Sequence, residues 1–555
     1  MKNYFNSFKK SVWVASAVLL CASCSDVWDE HYSTDYSVVP RESLAETISK
    51  LDNASQFVKI LQNTFMYNGA KQLTVSYYEF LDEDQFMTVW VPSNEAINAL
   101  PDSLKEIFLK DVTEKTPQDH KITGQEFIQN YLARYSHPAG GDDEKIYMLS
   151  KKMYTASANS IDGVNYLEKN IACRNGILHT LNGRIEYRKS LYEYITTEPA
   201  YTDVLGKFFA KYTKEEVDPN RSVQQGINAD GEMEYVDSVL ITKSILMDRF
   251  GLINEEDSNF AMVLPTPEAW QAAYDRISQF YDYGRIEYAD SIKMYWTQNA
   301  IMTDMFFNMN IQHGLADSAI STTFDRYGRA TDPIAYHTYY APYSADGLFV
   351  KNRVDSIRCS NGYIIQVNTW PFADSLTWLL PIKVEGENAD YKANLTKPVS
   401  KSMRNGDYGK ISSERILQVA GEGGAYSWQI DIPVKNNLKG KYKVYMVIAP
   451  NTDSKKPIQI HPTIYYNNAA IFDPKDTKNR DLTFNNVVGK VDTILIQGKD
   501  SVKMDRDYIE IPYCDYKTDR AKLSVRIKCS MKSSEVKNYN TTMNLDCIIL
   551  EPILE

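Results

Sequence analysis

Thr88-Val89-Trp90-Val91-Pro92-Ser93-Asn94-Glu95-Ala96 decides how this chain reads. From Phe86 to Val91 the residues are apolar, aromatic or β-branched, the make-up of a buried strand. Pro92 cannot donate to a strand ladder, so it closes the run. Ser93 or Asn94 then supplies the side-chain oxygen that opens a helix. Upstream, a helical pattern begins at Glu42, with Leu44, Ile48 and Leu51 on one face and Phe57, Ile60 and Leu61 behind them. Downstream, a further helix is expected from Gly124 to Arg134. Asn175-Gly176-Ile177-Leu178-His179-Thr180-Leu181-Asn182-Gly183 places an Asn-Gly pair on each side of an apolar run, which predicts turn, strand, turn.

The same order recurs. Leu191-Tyr192-Glu193-Tyr194-Ile195 echoes Leu44-Ala45-Glu46-Thr47-Ile48. Phe260-Ala261-Met262-Val263-Leu264-Pro265-Thr266-Pro267-Glu268-Ala269 echoes the first block, and Asn361-Gly362-Tyr363-Ile364-Ile365-Gln366-Val367 the second. Ile365 stands where the first copy has His179. Val223 to Val239 reads as an inserted hairpin turning at Asp230-Gly231.

Taken together, the Thr88–Ala96 and Asn175–Leu181 blocks resemble the two signature blocks of fasciclin domains. Phe127-Ile128-Gln129-Asn130-Tyr131-Leu132 lies where that family often has a histidine; Tyr131 takes its place, so no histidine-dependent property carries over. From about 388 the pattern changes to short alternating strands: Ser427 to Val434, Lys441 to Ile448, Thr493 to Gln497, Tyr508 to Pro512, Ala521 to Lys528 and Leu545 to Leu550. Such a series predicts a β-sandwich, and it resembles a jelly roll of the carbohydrate-binding-module type. The expected fold class is multidomain α+β: two tandem fasciclin-like α/β domains (41–188, and a degenerate copy at 189–387) followed by an all-β sandwich (388–555).

The N-terminus carries Lys2, Lys9 and Lys10 and then an apolar run from Ser11 to Ala22, too short to span a bilayer. Ala22-Ser23-Cys24 resembles a bacterial lipobox, with Cys21 where leucine is usual. That implies cleavage after residue 23 and lipidation of Cys24, with several acyl chains giving a stable anchor. Ser25, Asp26, Asp29 and Glu30 then resemble the surface-export signal of Bacteroidetes lipoproteins, and residues 24–40 form a tether. Loss of residues 1–23 removes three lysines and no acid, taking the net charge from −11 to −14. An acidic chain argues against nucleic acid as the main partner. The cysteines left beside Cys24 are odd in number and widely spaced, which is no disulfide framework; Cys514 and Cys529 could pair or stay free.

Catalytic signatures are absent from the sequence. Of seven histidines no two stand at i, i+4, and there is no G-x-S-x-G, phosphate-loop or G-x-G-x-x-G motif. His179 reads as a hydrogen-bonded structural histidine. Asp473, Asp476, Asp481, Asp500, Asp505 and Asp507 could hold calcium, but interleaved lysines and arginines read as solvated surface; no cofactor is expected. Tyrosine is in excess, 39 of 555 residues. It is concentrated in Tyr336–Tyr343 (with Tyr339, Tyr340 and Tyr343), beside Trp370, and at Tyr465-Tyr466, where rings adjoin amides. These six rings are the candidate ligand contacts.

The expectation is therefore a non-catalytic, lipid-anchored protein of the outer membrane, on the cell surface. Its resemblance to proteins accompanying SusC/SusD-type uptake systems implies a TonB-dependent transporter and a SusD-like lipoprotein as partners, with glycan or peptide as cargo. Adhesion is the alternative, and a glycan hydrolase the third.

Overall fold

The computed structural model describes residues 40–554, apart from 69–70, 218–222, 228–232, 238–239, 311–317, 324–335, 388–391, 394–398, 406–408, 413–414, 422, 424, 474–483, 501–504 and 516–520. Cys24 and the export-like residues Ser25, Asp26, Asp29 and Glu30 lie outside that range, as does the Asp230-Gly231 turn. The chain divides into two compact units, one through Lys189 and one from Ser190 onward.

In the first unit, Met87–Pro92 is a strand buried at every residue. It runs parallel to Gly176–Leu181, Met87 opposite Gly176 and Pro92 opposite Leu181. Leu132–Arg134 flanks it on one side, and Val164–Cys173, Ser160–Ile161, Met153–Ala156 and Glu144–Tyr147 extend the sheet beyond Gly176–Leu181. The Ser93 hydroxyl caps helix Asn94–Asn98 by accepting from Ala96 N. The first helical pattern is two helices, Leu44–Ser49 and Ser55–Gln62, and a Ser43/Glu46 capping box opens the first.

The helix expected over Gly124–Arg134 is shorter. A π-helical turn at Thr123–Phe127 leads into a tight turn at Ile128–Tyr131. Leu132–Arg134 is an edge strand paired with Met87–Val89. Leu132 and Ala133 bury against the sheet there, and that pairing overrides helical periodicity.

A buried side chain ties the sheet to the first helix. Asn175 accepts from Leu44 N at 2.8 Å and donates to the carbonyls of Leu81 (2.8 Å) and Glu83 (2.5 Å). Gly176 follows at φ +155°, with its Cα against the Met87 carbonyl. The second unit repeats the device: Asn361 accepts from Leu191 N at 2.9 Å and donates to Ile253 O (2.8 Å) and Glu255 O (3.1 Å). Gly362 follows at φ +144°. There Phe260–Pro265 runs parallel to Gly362–Val367, in a sheet ordered Phe306–Asn308, Phe260–Pro265, Gly362–Val367, Arg353–Cys359. The inserted hairpin is present as Val223–Ile227 paired with Met233–Asp237.

The remainder of the second unit is a two-sheet sandwich. One sheet contains Arg415–Gly421, Met543–Pro552, Gly440–Ile448 and Asp492–Leu495; the other contains Ser427–Val434, Leu523–Ser530, Gln459–Tyr466 and Ala469–Asp473. Trp428, Ile430, Ile432 and Val434 point inward in strict alternation and meet Tyr442, Val444, Leu545 and Ile548 from the facing sheet. Ile382–Glu385 also pairs with Met543–Pro552, so the sandwich begins before the composition change near 388.

This sandwich is fused to the second copy. Cys514 packs in the second copy's core, its thiol donating to Phe280 O and its backbone N–H to Asp282 O. Lys439 N donates to Phe280 O, and the Lys439 ammonium pairs with Asp282 at 2.9 Å. Cys514 and Cys529 do not pair; each of the five described cysteines is a buried thiol outside any disulfide. No helix among the described residues is long and apolar enough to cross a membrane.

Candidate ligand-binding faces

The six candidate rings fall into two groups. In the second copy, Trp370, Phe372, Tyr339, Phe307, Phe349 and Tyr343 form a continuous edge-to-face series, with centroids 5.3–5.9 Å apart. Most of this series is interior. Tyr339 donates its phenol to the fully buried Asp304, which also bonds His337 Nδ1. Trp370 donates Nε1 to Ile301 O at 3.1 Å and lies under the Arg276 guanidinium. Tyr339 and Trp370 are half-buried, and the end of the series is the most exposed: Tyr343, joined to the Tyr363 hydroxyl, is 60% exposed, and the neighbouring Tyr340 is 78% exposed.

The sandwich holds the other two rings, and they differ. Tyr466 is a core residue, 6% exposed, its hydroxyl spent on Tyr513 O. Strand alternation sends it inward, so it cannot receive a ligand. Tyr465, one residue earlier, points outward. The Arg526 guanidinium lies 4.2 Å above its ring. Arg526 in turn holds Asp431 through two bonds of 2.7 and 2.8 Å.

The register of three adjacent strands places more polar groups on the same outward face. Gln429, Lys528 and His461 stand side by side, then Asp431, Arg526 and Thr463, then Pro433, Ser524 and Tyr465. All are half-buried except the exposed Lys528. The face thus presents fixed donors, fixed acceptors and one ring within a few ångströms. Sequence alone does not single out Arg526 and Asp431. Their opposite charges sit on the outward phase of two predicted strands, but pairing them needs the register.

The acidic loops of the sandwich carry the carboxylates expected as calcium candidates. Of these, Asp476 and Asp481 lie outside the described residues, and Asp507 pairs with Lys443 at 3.4 Å. A different group converges at the first strand of the sandwich. Glu385, Asp546 and Cys547 bring one ligand atom each within 4.8 Å of one another. The Ser412 hydroxyl sits 2.5 Å from Glu385 and 2.8 Å from Asp546, and its single proton serves one of them at a time. Lys383 pairs with Glu385 at 2.8 Å. Burial pushes the Cys547 thiol up to about 12.

His179 is structural. It is fully buried, stacked on Trp90 at 5.7 Å and flanked by Tyr166. Nδ1 accepts from Asn170 N at 3.3 Å, which places the proton on Nε2, facing His137 O at 3.1 Å. Burial lowers its pKa, and that of His120, whose Nδ1 accepts from Phe65 N. A lowered folded-state pKa means that the unfolded chain binds more protons below about 6.5. The first unit is therefore expected to hold its stability above that pH and lose it progressively as pH falls towards 5. Thermal melts from pH 7.5 to 5 check this, and His179→Gln should flatten the slope to the part owed to His120.

No family model matches the chain, and no curated protein matches it. Among solved structures it is similar to a FAS1 domain pair of the insect cell adhesion molecule fasciclin I. That match has 11% identity, 52% of this chain, 89% of that one and a TM-score of 0.19. It is also similar to a family 35 carbohydrate-binding module from Clostridium thermocellum (10% identity, 31% of this chain, 99% of that one, TM-score 0.19). A third similarity is to an exo-β-1,3-galactanase from Phanerochaete chrysosporium (13% identity, 42% of this chain, 40% of that one, TM-score 0.18). The class of protein rests on the geometry itself: a mixed α/β chain with one sheet unit used twice and a β-sandwich fused to the second copy.

Proposed function

We propose that this chain is a non-catalytic binding protein of the cell surface. Cys24 carries the lipid anchor in the outer membrane, Ser25–Glu30 direct export, and the outward sandwich face holds glycan. The bound glycan is passed to a TonB-dependent transporter with a SusD-like lipoprotein. The observation that carries this reading is the Tyr465–Arg526–Asp431 array. Sugar hydroxyls hydrogen-bond well to charged groups already held rigid, and a sugar's C–H face packs on a ring. The neighbouring Gln429, Thr463, His461 and Lys528 offer further hydroxyl partners.

The test is affinity electrophoresis and calorimetry of residues 25–555 against a panel of polysaccharides, host glycans and peptides. Retention by a polysaccharide is expected. Arg526→Ala and Tyr465→Ala should each weaken it by about tenfold or more, roughly 1.4 kcal/mol. Undiminished binding by both variants would move the ligand off this face, and failure of every glycan would sink the glycan reading.

Adhesion is a second reading, supported by the exposed Tyr340 and Tyr343, since tyrosine-rich surface suits protein contact. Substituting both with serine should then reduce cell clumping and leave glycan retention intact.

A further inference from the structure

Among the buried positions at which the two copies differ, one stands beside a cavity in the first. In the second copy Tyr201 is 2% exposed. Its hydroxyl donates to the Pro265 carbonyl at 3.0 Å and accepts from Gln366 Nε2 at 2.7 Å. Its ring thus fills the crevice beyond the carboxyl ends of the parallel strands Phe260–Pro265 and Gly362–Val367.

The matching residue of the first copy is Ala54. Both follow the first helix by the same turn: Ala54 N bonds Leu51 O, and Tyr201 N bonds Glu198 O. Their backbones agree too, φ −126° and ψ 9° for Ala54 against −116° and −12° for Tyr201. Each opens the next helix. Pro92 matches Pro265, and Thr180 matches Gln366, by the shared strand register.

At the place that Tyr201 fills in the second copy, the first has a cavity of about 300 Å³ that opens to solvent, with Leu51 and Thr180 half-buried in its wall and Ala54, Val91, Pro92 and Leu181 buried behind them. The groups that hold the phenol have counterparts in place. Pro92 offers the carbonyl. The Thr180 hydroxyl accepts from Glu168 N at 2.9 Å and keeps its own proton to donate. Three charged residues line the mouth: Lys50 is paired with Glu42, and the exposed Asp52 and Glu168 leave it net negative.

We propose that this cavity is a docking site for a tyrosine side chain of a partner polypeptide, in a segment with basic residues beside the ring. The second copy supplies that ring from its own chain; the first takes it from outside. This site is separate from the sandwich face and does not depend on glycan binding there.

The test uses residues 25–555 with methyl-labelled alanine, leucine and valine. Titration with p-cresol should shift the Ala54, Val91 and Leu181 methyls, with a Kd of order 1 mM for so small a ligand. Toluene should bind more weakly, because it cannot reach the Pro92 carbonyl or the Thr180 hydroxyl. The peptide acetyl-Lys-Tyr-Lys-amide should bind more tightly than acetyl-Glu-Tyr-Glu-amide.

Ala54→Tyr should fill the cavity from within, raise the melting temperature of the first unit and abolish the p-cresol shifts, with glycan retention unchanged. Tyr201→Ala should lower the melting temperature of the second unit, and p-cresol should restore part of it. Should Ala54→Tyr fail to fold, Thr180→Val serves instead and should erase the preference for p-cresol over toluene. Absence of shifts at the pocket methyls, persistence of them in folded Ala54→Tyr, or equal binding of toluene would overturn the proposal. A preference for the acidic peptide would overturn the basic-segment assignment.

Discussion

Gly176→Ala is expected to abolish folding of the first unit. A Cβ at that position would lie 1.9 Å from the Met87 carbonyl oxygen, and the backbone sits at φ +155°, which side chains rarely adopt. Relief would require parting Met87–Pro92 from Gly176–Leu181, the central pair of the sheet. The cost exceeds about 4 kcal/mol, the range in which single substitutions become disabling. Gly362→Ala should do the same to the second unit, since its Cβ would lie 1.9 Å from Phe260 O. Circular dichroism melts of the two variants check this: each should lose one unit's transition and keep the other's.

Calorimetry of residues 25–555 is expected to show two thermal transitions, one for each compact unit, although the chain holds three architectural parts. The second copy and the sandwich should melt together. Cys514 and Lys439 from the sandwich bond the backbone at Phe280 and Asp282, and Cys514 and Leu438 pack against the second copy's core. Separating the parts would expose this apolar surface and leave the backbone bonds unmade, a loss of several kcal/mol. A fragment begun at 388 would also lack Ile382–Glu385 and with it Glu385. It is expected to aggregate, while residues 190–555 remain soluble and cooperative. A third resolved transition would show that sandwich and second copy unfold independently.

Legibility followed the range over which each feature is encoded. Capping, strand ends and turns are local, so Ser93, Pro92 and the Asn-Gly pairs could be read directly. Their recurrence also exposed the internal repeat. The helix expected through Arg134 was lost at Leu132, because pairing with Val89 is a long-range term that periodicity does not contain. Aromatic density marked the stretches but did not say which rings face outward. Tyr465 and Tyr466 are adjacent, and the pleat alone decides that one meets Arg526 and the other the core.

The sequence by itself determined the two-copy plan, the switch to a β-sandwich and the structural role of His179, because each is written in short runs of residue type and spacing. Only the tertiary structure decided which outward side chains stand together at Asp431, Arg526 and Tyr465, since strand register is set by packing across the sheet. It also decided that Cys514 joins the second copy's core rather than a disulfide. And it alone revealed that Tyr201 fills in one copy the space that Ala54 leaves open in the other. A cavity is the absence of atoms from several distant segments, and no single segment records it.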